Sequence, residues 1–87
     1  MPKKGSTVTA ASTTSQKLFE YNGGRDKLIV QNQDSGATLY LNIDAPATIG
    51  GGNVMISPLQ YWTETGITGA VYVIASAGAP AICAWET

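Results

Sequence analysis

Six carboxylates, one thiol and a run of three glycines are the groups whose types and spacing invite a chemical reading of this sequence. Glu20, Asp26, Asp34, Asp44, Glu64 and Glu86 are scattered along the chain. A glycosidase needs two carboxyl groups facing each other across a sugar, and Asp34 and Asp44, flanking a predicted hairpin, are the nearest candidates. Aspartates in connections bond their own backbone, so turn chemistry accounts for them better. No spacing among the six resembles a calcium loop, and neither a metal nor any other cofactor is expected. Histidine is absent, which removes the usual general base near neutral pH, the commonest metal ligand and the standard nucleophile triads. Cys83 then has no activating partner, and inside an apolar segment it reads as an inert core residue. Gly50-Gly51-Gly52 leads into Asn53-Val54-Met55-Ile56, a strand rather than a helix. It therefore reads as a tight bend where side chains would obstruct a close backbone approach, not as a phosphate cradle. No catalytic residue is expected, and the inventory points to a subunit that acts through its surface.

The elements that must present that surface are strands. Period-two alternation and β-branched content predict them at Lys17–Tyr21, Lys27–Asn32, Thr38–Ile43, Asn53–Ile56, Gln60–Glu64, Ala70–Ala75 and Ala81–Glu86. Asn22-Gly23-Gly24, Gln33 to Ala37 and Ser76 to Pro80 supply turn residues. Two hairpins are predicted, one from Lys27–Asn32 with Thr38–Ile43, the other from Ala70–Ala75 with Ala81–Glu86. With about seven short strands and no helical periodicity, the fold class is all-β, a small antiparallel sandwich or jelly-roll-like barrel. Alternation places Leu28, Val30, Leu39, Leu41, Ile43, Val54, Ile56, Val71, Val73, Ile82 and Ala84 in the core.

The chain of 87 residues and 9.1 kDa holds one domain. About 5,000 Å² should remain accessible, which leaves a thin core. Charged residues make up 13% of the chain against 44% hydrophobic, so the surface is built from small polar residues and disorder is not expected for most of it. A net charge of -1 gives no footprint for nucleic acid or anionic membrane. Lys3-Lys4 is followed by Gly-Ser-Thr, so no export signal is expected. One cysteine staples nothing, and a small domain without disulfides gains from association, so self-association is expected.

Residues 1–16 are poor in apolar groups and read as an extended N-terminal arm to a sandwich domain at 17–87. Thr7, Val8 and Thr9 suit backbone pairing along a sheet edge, and Lys3 and Lys4 suit acidic groups on a partner. Tyr61 and Trp62 are adjacent and must point to opposite faces. Tyr40 and Tyr72 oppose the apolar faces of their own strands. These four aromatics and the arm residues are the candidate interface. Exposed aromatics on a β-sandwich also suit a carbohydrate-binding, lectin-like module for host-surface recognition, the rival reading from a different class.

The order Arg25-Asp26-Lys27-Leu28-Ile29-Val30-Gln31-Asn32, the Gly50-Gly51-Gly52 stretch, Ser57-Pro58 before Tyr61-Trp62, Gly69-Ala70-Val71-Tyr72-Val73-Ile74-Ala75 and the ending on Trp85-Glu86 resemble small structural proteins of tailed bacteriophages. The resemblance covers about seventy percent of the chain. It implies a head decoration, cement or head-fibre subunit, commonly trimeric, made in the host bacterial cytoplasm and carried on the capsid surface, with the major capsid protein and its own copies as partners.

Overall fold

Strands form where apolar and polar residues alternate, and the faces that alternation creates decide how the strands stack. In the computed structural model, which describes residues 5–10, 12–52, 54–78 and 80–86, the order is β1 (Gly5–Ala10), β2 (Gln16–Phe19), β3 (Lys27–Asn32), β4 (Leu39–Ile43), β5 (Val54–Ile56), β6 (Tyr61–Thr65), β7 (Val71–Ala75) and β8 (Ala81–Glu86). The seven expected strands are present with ends shifted by a residue or two, and β1 adds one more. They form two four-stranded antiparallel sheets, ordered β1-β8-β3-β6 and β2-β7-β4-β5. Nearly every connection passes from one sheet to the other, and this is the connectivity of a jelly roll.

Neither predicted hairpin forms. β3 and β4 lie in opposite sheets, as do β7 and β8; the strands paired in sequence order are β4 and β5. Turn residues report that the chain reverses direction. In a sandwich the reversal can cross the roughly 10 Å between sheets instead of closing a ladder. Asp34 shows how: its Oδ2 accepts the amides of Gly36 and Ala37 at 2.8 and 2.6 Å, turning the chain as β3 leaves one sheet and β4 enters the other.

Between the sheets lie Phe19, Leu28, Val30, Leu39, Leu41, Ile56, Val71, Val73, Ala75, Ile82 and Ala84, with Leu18, Ile43, Val54 and Trp62 partly buried against them. Alternation located most of this core; Phe19 and Ala75 were not expected in it, and Ile43 and Val54 lie at its margin. The accessible surface is 4465 Å², somewhat below the expected value.

Residues 5–10 of the expected arm lie antiparallel along β8 of the same chain, from Gly5 opposite Glu86 to Ala10 opposite Ala81. β8 has β3 on one side only and would otherwise leave its second row of backbone groups open, so it offers this segment an edge inside its own domain. Ser12 and Ser15 are also tied to the sandwich, through Ala75 N to Ser12 O at 2.8 Å and Ala47 N to Ser15 Oγ at 2.9 Å. Lys3 and Lys4 lie outside the described residues.

Antiparallel pairing gathers the connections at two ends. The β3–β4, β5–β6 and β7–β8 connections share one end, and the β2–β3, β4–β5 and β6–β7 connections share the other with the close of β8.

Candidate interaction surface

Catalytic geometry requires convergence, and the two candidate carboxylates do not converge. Asp34 belongs to the β3–β4 end and Asp44 to the β4–β5 end, so the strand between them holds the two candidates apart. Asp44 takes a left-handed conformation, φ 66°. It exchanges bonds with the β6–β7 connection: its amide donates to Ala70 O at 2.7 Å, and its Oδ1 accepts Ala70 N at 3.1 Å. Gly69 permits this approach, since a Cβ there would lie 2.5 Å from either Asp44 carboxylate oxygen. Glu20 pairs with Lys17 at 3.3 Å. That hydrogen bond and its charge, with Tyr72 contributing, raise the Lys17 pKa. Among the described residues no group of three or more metal-ligating side chains and no cavity occurs.

The charged centre that does form is structural. Arg25 is 4% exposed. Its Nε donates to Glu86 Oε1 at 2.6 Å, its Nη1 to Ile67 O and Gly69 O at 3.1 and 2.9 Å, and its Nη2 to Glu20 O at 2.8 Å. The Phe19 ring centroid lies 5.5 Å from its Cζ. A guanidinium carries a planar fork of donors, so one side chain can tie the β2–β3 and β6–β7 connections to the end of β8.

At the opposite end Asn32 is fully buried. Its Nδ2 reaches Ala37 O at 2.8 Å and the carbonyls of Ile56 and Ser57 at 3.3 Å, while its Oδ1 accepts Asp34 N at 3.0 Å. Sequence reasoning assigned neither clamp. Asn32 had a signal, because it continues the inward series of Leu28 and Val30. Arg25 precedes its strand and had none.

Cys83 is half-buried on the outer face of its sheet, which corrects its expected place in the core. Ile82 and Ala84 occupy the inner positions, and period two turns the residue between them outward. Gly52 behaves as a close-approach glycine: its φ is 92°, and a Cβ there would lie 2.7 Å from Leu41 O.

The expected interface aromatics fall in three places. Trp62 faces inward, opposite Val30, and packs against the core. Tyr61 faces outward and is 67% exposed. Tyr40 and Tyr72 are half-buried on the outer face of the other sheet, on neighbouring strands, and Lys17 Nζ sits 5.8 Å from the centroid of the Tyr72 ring. The backbones of Thr7, Val8 and Thr9 run opposite Ala84, Cys83 and Ile82.

Leu59 was not anticipated. Gln60 N bonds Ser57 O at 3.1 Å, and Leu59 occupies the third position of that turn with φ 61°. A type II turn reserves this position for glycine or asparagine, and Pro58 precedes it as such turns favour. A large apolar side chain is thus held 63% exposed on a strained backbone. The signal was the Ser-Pro-Leu-Gln order, where Pro at the second position marks the third as left-handed. Comparison with known proteins finds no matching family model, no matching curated protein and no matching solved structure.

Proposed function

We propose that this chain is a non-enzymatic structural protein of a tailed-phage virion, a decoration or cement subunit that binds the outer surface of the head and stabilises it. One observation carries the reading. No charged residue occurs between Asp44 and Glu64, and that segment bears Ile49, Met55, Leu59 and Tyr61, four of the five large apolar side chains exposed among the described residues. Protein interfaces are depleted in charge at their centres and enriched in aromatic residues and methionine, so the segment suits close packing against other subunits. The proposed partners are the major capsid protein and further copies of the chain, as a trimer on the sequence resemblance. The proposed location is the capsid surface, after synthesis in the host bacterial cytoplasm. Mass spectrometry of purified particles should detect the chain, and the purified protein should co-sediment with capsids. Its absence from particles would reject the reading.

Lectin domains share jelly-roll architecture, and Tyr40 and Tyr72 lie on one outer face, which favours the carbohydrate-binding alternative. That reading expects retention on immobilised glycans, lost on Tyr40→Ala and Tyr72→Ala substitution.

A further inference from the structure

The sandwich has edges at β1, β2, β5 and β6, and they are not equally guarded. Natural sheets blunt their edges with bulges, lysines or very short strands. β2 is four residues long, carries Lys17 and breaks register between Lys17 and Phe19. β5 has three residues. β1 has six residues, Gly-Ser-Thr-Val-Thr-Ala, and β6 has five, Tyr-Trp-Thr-Glu-Thr. Both lack lysine and proline and keep an unbroken register, against β8 and β3, and of the two only β6 carries aromatic side chains.

The backbone groups left open on β6 follow from its ladder. Asn32 N bonds Gln60 O and Gly66 N bonds Asp26 O, which sets Gln60, Trp62, Glu64 and Gly66 as the residues that exchange bonds with β3. In an antiparallel ladder bonded and non-bonded pairs alternate. Tyr61, Thr63 and Thr65 therefore direct both their N–H and their C=O groups away from β3, along the free edge. β3 shows the same alternation on its far side, where Gln33 N bonds Ala81 O.

We infer that β6 pairs antiparallel with β6 of a second copy of this chain, about a two-fold axis through Thr63. The two sheets then join into one continuous sheet. In this register Tyr61 lies opposite Thr65 of the second copy and Thr63 lies opposite its own twin, and each of these pairs exchanges both backbone bonds. On one face the side chains form an aromatic–β-branched pair on either side of a Thr–Thr pair, combinations that stabilise antiparallel neighbours. On the other face Glu64, the one charge of the strand, meets Trp62 of the second copy and not another Glu64. An axis through Glu64 would set two like charges directly opposite each other, and an axis through Trp62 or Glu64 would leave an end of the five-residue strand unpaired, whereas the axis through Thr63 pairs its whole length. A net charge of -1 adds little repulsion between copies. This pairing does not depend on the virion reading.

Analytical ultracentrifugation of the full chain over a concentration series tests it, together with amide hydrogen exchange. The expected result is a reversible species of twice the 9.1 kDa chain mass, with the amides of Tyr61, Thr63 and Thr65 gaining protection as concentration rises. Thr63→Pro removes an N–H that the monomer does not use and should weaken dimerisation about thirtyfold, the effect of losing two ordinary hydrogen bonds. Thr63→Lys opposes two like charges across the axis and should also abolish the dimer if the proline variant folds poorly. A chain that stays monomeric, as it would if a strand of another protein fills the edge, overturns the inference. So does a trimer or dimer whose stability Thr63→Lys leaves unchanged.

Discussion

The two ends of the sandwich solve one problem with different chemistry. At each, three stretches of chain meet without a disulfide, and each is closed by one buried polar side chain whose every nitrogen and oxygen has a hydrogen-bond partner. At the Arg25 end the clamp is charged and long, and it binds Glu86, sixty-one residues away. At the Asn32 end it is neutral and short, and its reach goes to Ala37, Ile56 and Ser57. The connections at the Arg25 end already share a backbone bond, Asn22 N to Thr68 O at 2.8 Å, and the long, forked guanidinium gathers further carbonyls from both, whereas a carboxamide serves only groups packed close around it. Exposed large apolar residues stand at both ends, Tyr21 and Ile49 at the Arg25 end and Leu59 and Tyr61 at the Asn32 end, where the clamp holds the β5–β6 turn.

Removing the charged clamp should have the largest effect. Arg25→Ala strands Glu86 and three carbonyls, and chemical denaturation should show a loss of about 3–5 kcal/mol; a loss near zero would mean that water replaces the guanidinium without cost. Asn32→Ala should lose less, about 1–3 kcal/mol, because every group it abandons is neutral. The two losses should add to within about 0.5 kcal/mol in the double variant if the ends are independent, and a marked departure would show that they communicate through the sheets. Leu59→Gly relieves a left-handed conformation and should raise stability by about 1 kcal/mol, measurable as a higher Tm. A fall would show that the leucine packs inside the monomer instead of waiting for a partner. Smallest of all is the ion pair of Lys17 and Glu20. Because folding raises the Lys17 pKa above 10.5, its contribution is fully present below that value and lost as pH rises through the folded pKa. A Lys17→Met variant should therefore show a shallower loss of stability in alkaline titration than the parent.

Much of this architecture is legible in the residues themselves. Val71-Tyr72-Val73 and Leu39-Tyr40-Leu41 declare their inner faces by alternation, because a strand has only two sides and the aliphatic residues fill one of them. Asp34 and Asn22 declare their turns through the bonds their side chains make to nearby amides. The candidate interface was legible in part: Tyr61 and Trp62 had to part company, but alternation alone could not say which one faced outward.

What the amino-acid sequence determined, then, was local: strand positions, the buried face of each strand, the turns, and the absence of an imidazole around which to build a site. Pairing was decided by tertiary structure. Turn residues after β3 and β7 are compatible both with a hairpin and with a crossing to the other sheet, and only simultaneous burial of all the inner faces selects the crossing. The same closure brings Arg25 to Glu86, gives β1 the edge of β8 and leaves β6 open, because each of these depends on which strands stand last in a sheet. That order is a property of the assembled sandwich and is written in no single segment.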